Sequence, residues 1–215
     1  AFDALYARRA SALLDALAAK TIALADLGPL RMHRLRTHPD AAIAQRATKL
    51  FDELGYKPSA KVSELVARFL PIASQPGDAA AGKLVFEKNC IQCHRVDGKG
   101  AEIGPDLTGM GTHGAQQLLP VILDPNATVE PGYGEWQLET KDGKLVTGTM
   151  AREDARAVVL RSTNGDAEVA RDDIEWIKNT GRSPMPEGLE SIGAEGFRDL
   201  FAYLSGGFAG WRVLS

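Results

Sequence analysis

The chain has 215 residues, 44% hydrophobic and 25% charged, with a net charge of −3. This composition excludes a disordered chain or a coiled coil, and the length allows one large or two small domains with a core that needs no cross-links. No stretch approaches the ~18 uninterrupted apolar residues of a membrane-spanning helix. Residues 1–76 hold 11 Lys and Arg against 7 Asp and Glu, whereas residues 77–215 hold 14 against 21. The basic excess is too small and dispersed for a nucleic-acid surface, and the acidic remainder suits a basic partner. The opening Ala1-Phe2-Asp3-Ala4-Leu5 shows neither an initiator Met nor a secretory leader, so a processed product or a piece of a longer chain is expected.

Helices come first. Leu5, Leu13, Leu14 and Leu17 give one apolar face, and Leu27-Gly28-Pro29 breaks it. Leu30, His33, Arg34 and Leu35 belong to a second helix. Pro39 and Asp40 open a third, lined by Ile43, Ala47 and Leu50. A fourth covers 63–70, ahead of a linker at 71–77. The pattern looks like a HEAT-type helix pair, and one or two such pairs cannot bury their faces alone. His33 and His38 read as solvated or capping residues rather than metal ligands.

Asp78 is a good N-cap for the next helix, which carries Val85, Phe86 and Asn89. Gly82 is costly inside it, and close approach of a later helix at 197–204 would explain it. The helix runs into Cys90-Ile91-Gln92-Cys93-His94, which holds the chain's two cysteines. This spacing reads as haem c attachment: two thiols one turn apart add to the two vinyl groups, and the adjacent imidazole becomes the proximal iron ligand. A thioredoxin-like dithiol would need a strand–helix–strand context, and a zinc site would need further ligands from His33, His38 or His113.

The Gly-rich stretch 97–107 cannot be regular structure. A helix is expected at 113–124, with Leu118, Leu119, Ile122 and Leu123 on one face, Pro120 as an anomaly and Asp124-Pro125-Asn126 as its end. The period then changes from 3.6 to 2. Strands are expected at 136–140, 145–150, 157–160 and 168–170, joined by turns at Asp142-Gly143 and Asn164-Gly165, with a short strand or helical turn at 172–177. These make a small curled sheet or barrel whose core Trp136 and Trp176 fill. Trp211 either covers the domain or belongs to a frayed tail. The sheet is an insertion, at about 133–178, in a domain spanning 77–215.

The helix with Gly82, the attachment motif and the closing helix resemble class I cytochrome c. That resemblance implies that the Pro105 carbonyl accepts the His94 Nδ1–H, and that a Met just before the last helix is the distal ligand. Met110, His113, Met150 and Met185 are the candidates, and Met185 in Ser183-Pro184-Met185-Pro186-Glu187-Gly188-Leu189 has the right place. The ordered set of the attachment motif, Gly104-Pro105-Asp106-Leu107-Thr108-Gly109, Ile122-Leu123-Asp124-Pro125-Asn126-Ala127, Asp142-Gly143 with Gly148, Met185-Pro186-Glu187-Gly188-Leu189 and Asp199-Leu200-Phe201-Ala202-Tyr203-Leu204 resembles the planctomycete-type haem-binding domain family. In that family the domain ends a long chain with a sugar-dehydrogenase-like β-propeller and helical repeats ahead of it. The expected architecture is mainly α, a class I cytochrome core with a β insertion after HEAT-like helices at 1–76.

The resemblance implies one covalent haem c, export to the periplasm, and single-electron transfer from a dehydrogenase, fused or separate, to a downstream cytochrome or oxidase. Two alternatives are an open iron that binds a gas or peroxide, and a docking scaffold with a largely structural haem. No nucleophile–base pair, phosphate-binding loop or catalytic carboxylate pair is evident.

Overall fold

The computed structural model describes residues 2–56 and 59–206; Trp211 lies outside them. The first four helices are α1 (Phe2–Ala18), α2 (Gly28–Arg36), α3 (Ala41–Glu53) and α4 (Ala60–Ala73). Their starts have local causes. Pro29 occupies the first turn of α2, where a missing N–H costs nothing. Asp40 caps α3 by accepting from Ala42 N at 2.9 Å, and Ser59 caps α4 by accepting from Val62 N at 3.1 Å. Leu14, Leu17, Met32, Ala47 and Phe51 close a first core among α1–α3.

Helix α4 does not stop at Leu70. It passes through Pro71 to Ala73. Pro71 falls in the last turn, Phe69 and Ala73 are buried on either side of it, and Ser74 N closes the helix on Leu70 O at 3.0 Å. Packing therefore outweighs the one donor that proline removes. Val62, Leu65, Phe69 and Ala73 join a second core, shared with α5 (Ala79–Asn89), α6 (Ala115–Leu123) and α7 (Gly193–Leu204).

The crossing of α5 and α7 organises that core. A Cβ on Gly82 would overlap the Asp199 carbonyl oxygen, so the glycine is required by close approach. Phe86 packs on Tyr203 with ring centroids 5.5 Å apart, and Phe197 lies between Phe69 and Phe201. Asp78 caps α5 through Ala80 N at 2.8 Å, while its own N–H donates to the Asp199 carboxylate at 3.0 Å. The helix expected from residue 113 begins instead at Ala115. Residues Met110–His113 form a 3-10 turn, and Gly114 at φ +76° separates the two. Pro120 lies inside α6, with Leu119 fully buried beside it.

Between α6 and α7 stands an open antiparallel sheet of β3 (Glu135–Thr140), β4 (Leu145–Glu153), β5 (Ala157–Ser162), β6 (Gly165–Ala170) and β7 (Ile174–Asn179), ordered β6-β5-β4-β3-β7. A small hairpin of β1 (Arg95–Val96) and β2 (Lys99–Gly100) precedes it. Leu138, Val146, Val158 and Leu160 give the sheet its own third core. Trp136 packs against that core, but Trp176 does not. Trp176 pairs with Glu139 across β3 and donates its Nε1–H to the Glu139 carboxylate at 2.8 Å. The indole N–H needs an acceptor, and the solvated face of the sheet supplies one. Among the described residues no helix is long and apolar enough to cross a membrane.

Candidate cofactor site

Helix α5 ends at Asn89, yet the chain keeps turning. Cys93 N and His94 N both reach Cys90 O, at 3.0 and 2.9 Å. The two thiols therefore stand one turn apart, and they are not bonded to each other. Burial, with Cys93 nearby, pushes the Cys90 thiol up to about 11, and burial raises Cys93 as well. Reactive dithiols have lowered pKa values. The flanks are also a helix and a hairpin rather than strand–helix–strand, so the redox-dithiol reading loses both supports. Among the described residues no three His, Cys, Asp or Glu side chains gather as a metal-ion site.

His94 is held from its far side. Its Nδ1 lies 2.8 Å from the Pro105 carbonyl oxygen. A carbonyl only accepts, so Nδ1 carries the proton and Nε2 keeps its lone pair for a ligand bond. Burial lowers the imidazole pKa, and the Pro105 carbonyl opposes that shift. Gly104 lies flat on the ring, where a Cβ would overlap Cε1. The segment is stapled to the attachment turn: Ile103 N and Gly104 N both donate to Cys93 O, at 3.0 and 2.7 Å.

Beside His94 opens a cavity of about 340 Å³. Its wall is mainly apolar, built by Ile103, Leu107, Leu118, Ile122 and Leu204, and Cys93, His94 and Met185 line it as well. Met110 lines it too, so two thioethers share the cavity with the imidazole. Met150 lines a separate cleft with Arg95 and Arg161. His113 ends the 3-10 turn, and its Nδ1 accepts from Arg34 at 3.0 Å. His38 is buried, stacks on Tyr6 and accepts from Asp40 N at 3.0 Å as α3 begins. His33 is half-buried beside α2, and none of these three histidines lines the cavity. Apolar walls, a neutral imidazole with Nε2 open and soft thioether sulfur are the donor set of a haem iron, so the residues fit the group.

Two neighbours were not legible as site residues. In the sequence Asn126 belongs to the stop after α6 and to the Ile122–Ala127 segment of the resemblance, and neither gives it a role at the site. Its Oδ1 accepts from Ser183 N at 2.9 Å and its Nδ2 donates to Glu187 Oε1 at 2.7 Å, on either side of Met185. Glu130 places a half-buried carboxyl on the cavity wall, against Gly28, whose φ of +69° is one that side chains rarely adopt. Burial raises its pKa and the nearby Arg31 opposes this. Pro29 of α2 lines the cavity as well, and Thr128 donates to the Met32 sulfur at 3.3 Å. Helix α2 thus reaches the cofactor cavity. Only the Asp-Pro-Asn and Gly-Pro punctuation hinted at these contacts.

Residues 79–160 match the cytochrome c family model. The chain is 42% identical over 98 residues to a cbb3-type cytochrome c oxidase subunit CcoP of Rhodobacter capsulatus, which covers 43% of this chain and 31% of that protein. It is 50% identical over 36 residues to a cytochrome c of Gossypium barbadense, covering 16% of the chain and 32% of that protein. A cytochrome c type-1 of Ascaris suum is 50% identical over 34 residues, 16% of the chain and 30% of that protein. The chain spans about a third of the length of these curated relatives. The cytochrome c match and the Cys90–Cys93 spacing make covalently bound haem c the cofactor, and the single motif makes it one haem in a class I-like domain.

Proposed function

We propose that this chain is a single-electron carrier, with its haem held by thioethers from Cys90 and Cys93 and its iron between His94 and Met185. The observation that carries this reading is the shared cavity: His94, with Nδ1 committed to Pro105, and Met185 line the same apolar space. Haem supplies the one-electron chemistry there. A His/Met pair leaves no open position for substrate, and thioether sulfur raises the potential. The apolar wall keeps water away, the Pro105 carbonyl fixes the tautomer and orientation of His94, and the covalent links keep the cofactor in place through both redox states.

The finer reading is a module that takes electrons from a dehydrogenase, fused or separate, and passes them to a downstream cytochrome or oxidase. The likeness to an oxidase subunit supports an acceptor of that class. The acidic 77–215 part suits a basic docking partner, in a contact that weakens with salt. We further read the chain as exported, because haem c is attached outside the cytoplasm; as a planctomycete-type haem domain behind HEAT-like helices; and as divided functionally near residue 76, although α4 shares the second core. An anaerobic potentiometric titration tests the reading. A single one-electron wave, with no spectral change when carbon monoxide meets the ferrous protein, is expected. Carbon monoxide binding to a high-spin ferrous form would overturn it in favour of an open iron.

A further inference from the structure

We propose that Asn126 is the positioning residue that holds Met185 in the cofactor cavity, an inference that rests on the reading of Met185 as iron ligand. The Met185 loop cannot hold itself. Pro184 and Pro186 flank the methionine, and neither has an N–H to bond across the loop. The amide between them, Met185 N, is taken by the Ser183 hydroxyl at 3.2 Å. Ser183 N in turn donates to Asn126 Oδ1 at 2.9 Å, and on the other side Glu187 accepts from Asn126 Nδ2 at 2.7 Å. One amide side chain therefore grips both flanks of the loop. The partners fix its orientation, because a backbone N–H needs the oxygen and a carboxylate needs the nitrogen.

The anchor itself stands on rigid ground. Asn126 follows the end of α6, whose Leu118, Leu119 and Leu123 are buried. Pro125, beside it, lines the cavity, and Ala127 N closes a turn on Asp124 O at 3.1 Å. The contact bridges 57 residues of sequence and the whole β insertion. A thioether is a neutral ligand in competition with any small base that reaches the iron. Its effective strength scales with the fraction of time its loop is in the ligating position. Removing Asn126 deletes one bond to a backbone amide and one to a carboxylate, the second being the stronger.

The test is imidazole binding to the ferric holoprotein, followed by visible absorption. Asn126→Ala is expected to raise imidazole affinity about tenfold while haem content and far-UV circular dichroism stay at wild-type values. Asn126→Asp sets two carboxylates together and is expected to do the same, and adding Glu187→Gln should return the affinity to near wild type. Met185→Ala, with its competitor removed, sets the upper limit. Unchanged affinity in Asn126→Ala beside a large rise in Met185→Ala overturns the role of Asn126 and leaves Met185 as ligand. No rise in Met185→Ala overturns the ligand reading and this inference with it. If Asn126→Ala does not accumulate, the Asn126→Asp and Asn126→Asp/Glu187→Gln pair decides: equal affinities in the two refute the proposal.

Discussion

At the scale of single residues, the site depends on small atoms in the right place. Gly104→Ala puts a methyl group onto the His94 ring, and the loop cannot retreat because Cys93 O holds it. The holoprotein should lose about 1–3 kcal/mol of stability. Its potential should rise as His94 loses its acceptor and donates less to the iron. An unchanged melting temperature and potential would contradict this. Glu130 gives a pH signature. Burial raises its folded-state pKa, so its favourable contribution is complete below the unfolded carboxyl range and is lost as pH rises through the raised value. Glu130→Gln should therefore gain in melting temperature over wild type as pH goes from about 4 to about 7; a difference that stays flat with pH would count against it. The cofactor was legible because covalent chemistry fixes the Cys90–Cys93 spacing. Asn126 and Glu130 were not, because their partners lie far away in the chain.

Single elements show which local signals outlast packing. Replacing Gly82 by Ala adds about 1 kcal/mol of helix propensity. The new Cβ, however, meets a backbone carbonyl of α7, which cannot rotate away. The clash should win, for a net loss of about 2 kcal/mol and a fall of about 4–8 °C in melting temperature. A more stable Gly82→Ala would mean that the helices do not cross there. Asp199, at the same crossing, is held below the usual carboxylate range, first by its bond to Arg198 and then by the Asp78 N–H. The stability it gives is therefore lost as pH falls through that lowered value. The caps at Asp40 and Asp78 and the hairpin glycines at 143 and 165 were legible, since each satisfies a backbone demand within a few residues. The passage of α4 through Pro71 and the solvated side of Trp176 were not, since both are settled by neighbours from other elements.

For the whole molecule, the change of period after Asn126 marked the strands, and their place between the attachment motif and the Met185 segment marked the sheet as an insertion. An amphipathic face does not name its partner, so the sequence left two things hidden: that α4 joins the second core and that α2 reaches the cavity. The insertion begins and ends at one place, because Thr180 N donates to Glu135 O and Glu135 N to Arg182 O, both at 2.9 Å. Its core is separate from the one around α5 and α7. The ion pair joining it to the Gly-rich loop, Arg161 to Glu102 at 3.6 Å, is half-exposed and is worth about 0–1 kcal/mol. Replacing residues 136–179 by a short glycine linker should therefore leave haem attachment and the ferrous spectrum intact. Loss of haem from that variant would show that the sheet helps to build the site.

The central claim is that the iron lies between His94 and Met185. The most direct measurement is the visible spectrum of the ferric and ferrous protein, wild type beside Met185→Ala. We expect the weak long-wavelength sulfur-to-iron band in the ferric wild type and its disappearance on substitution. A wild type without that band and with a high-spin spectrum, or a band that survives in Met185→Ala, would contradict the claim; survival of the band would point to Met110, the other thioether on the cavity wall.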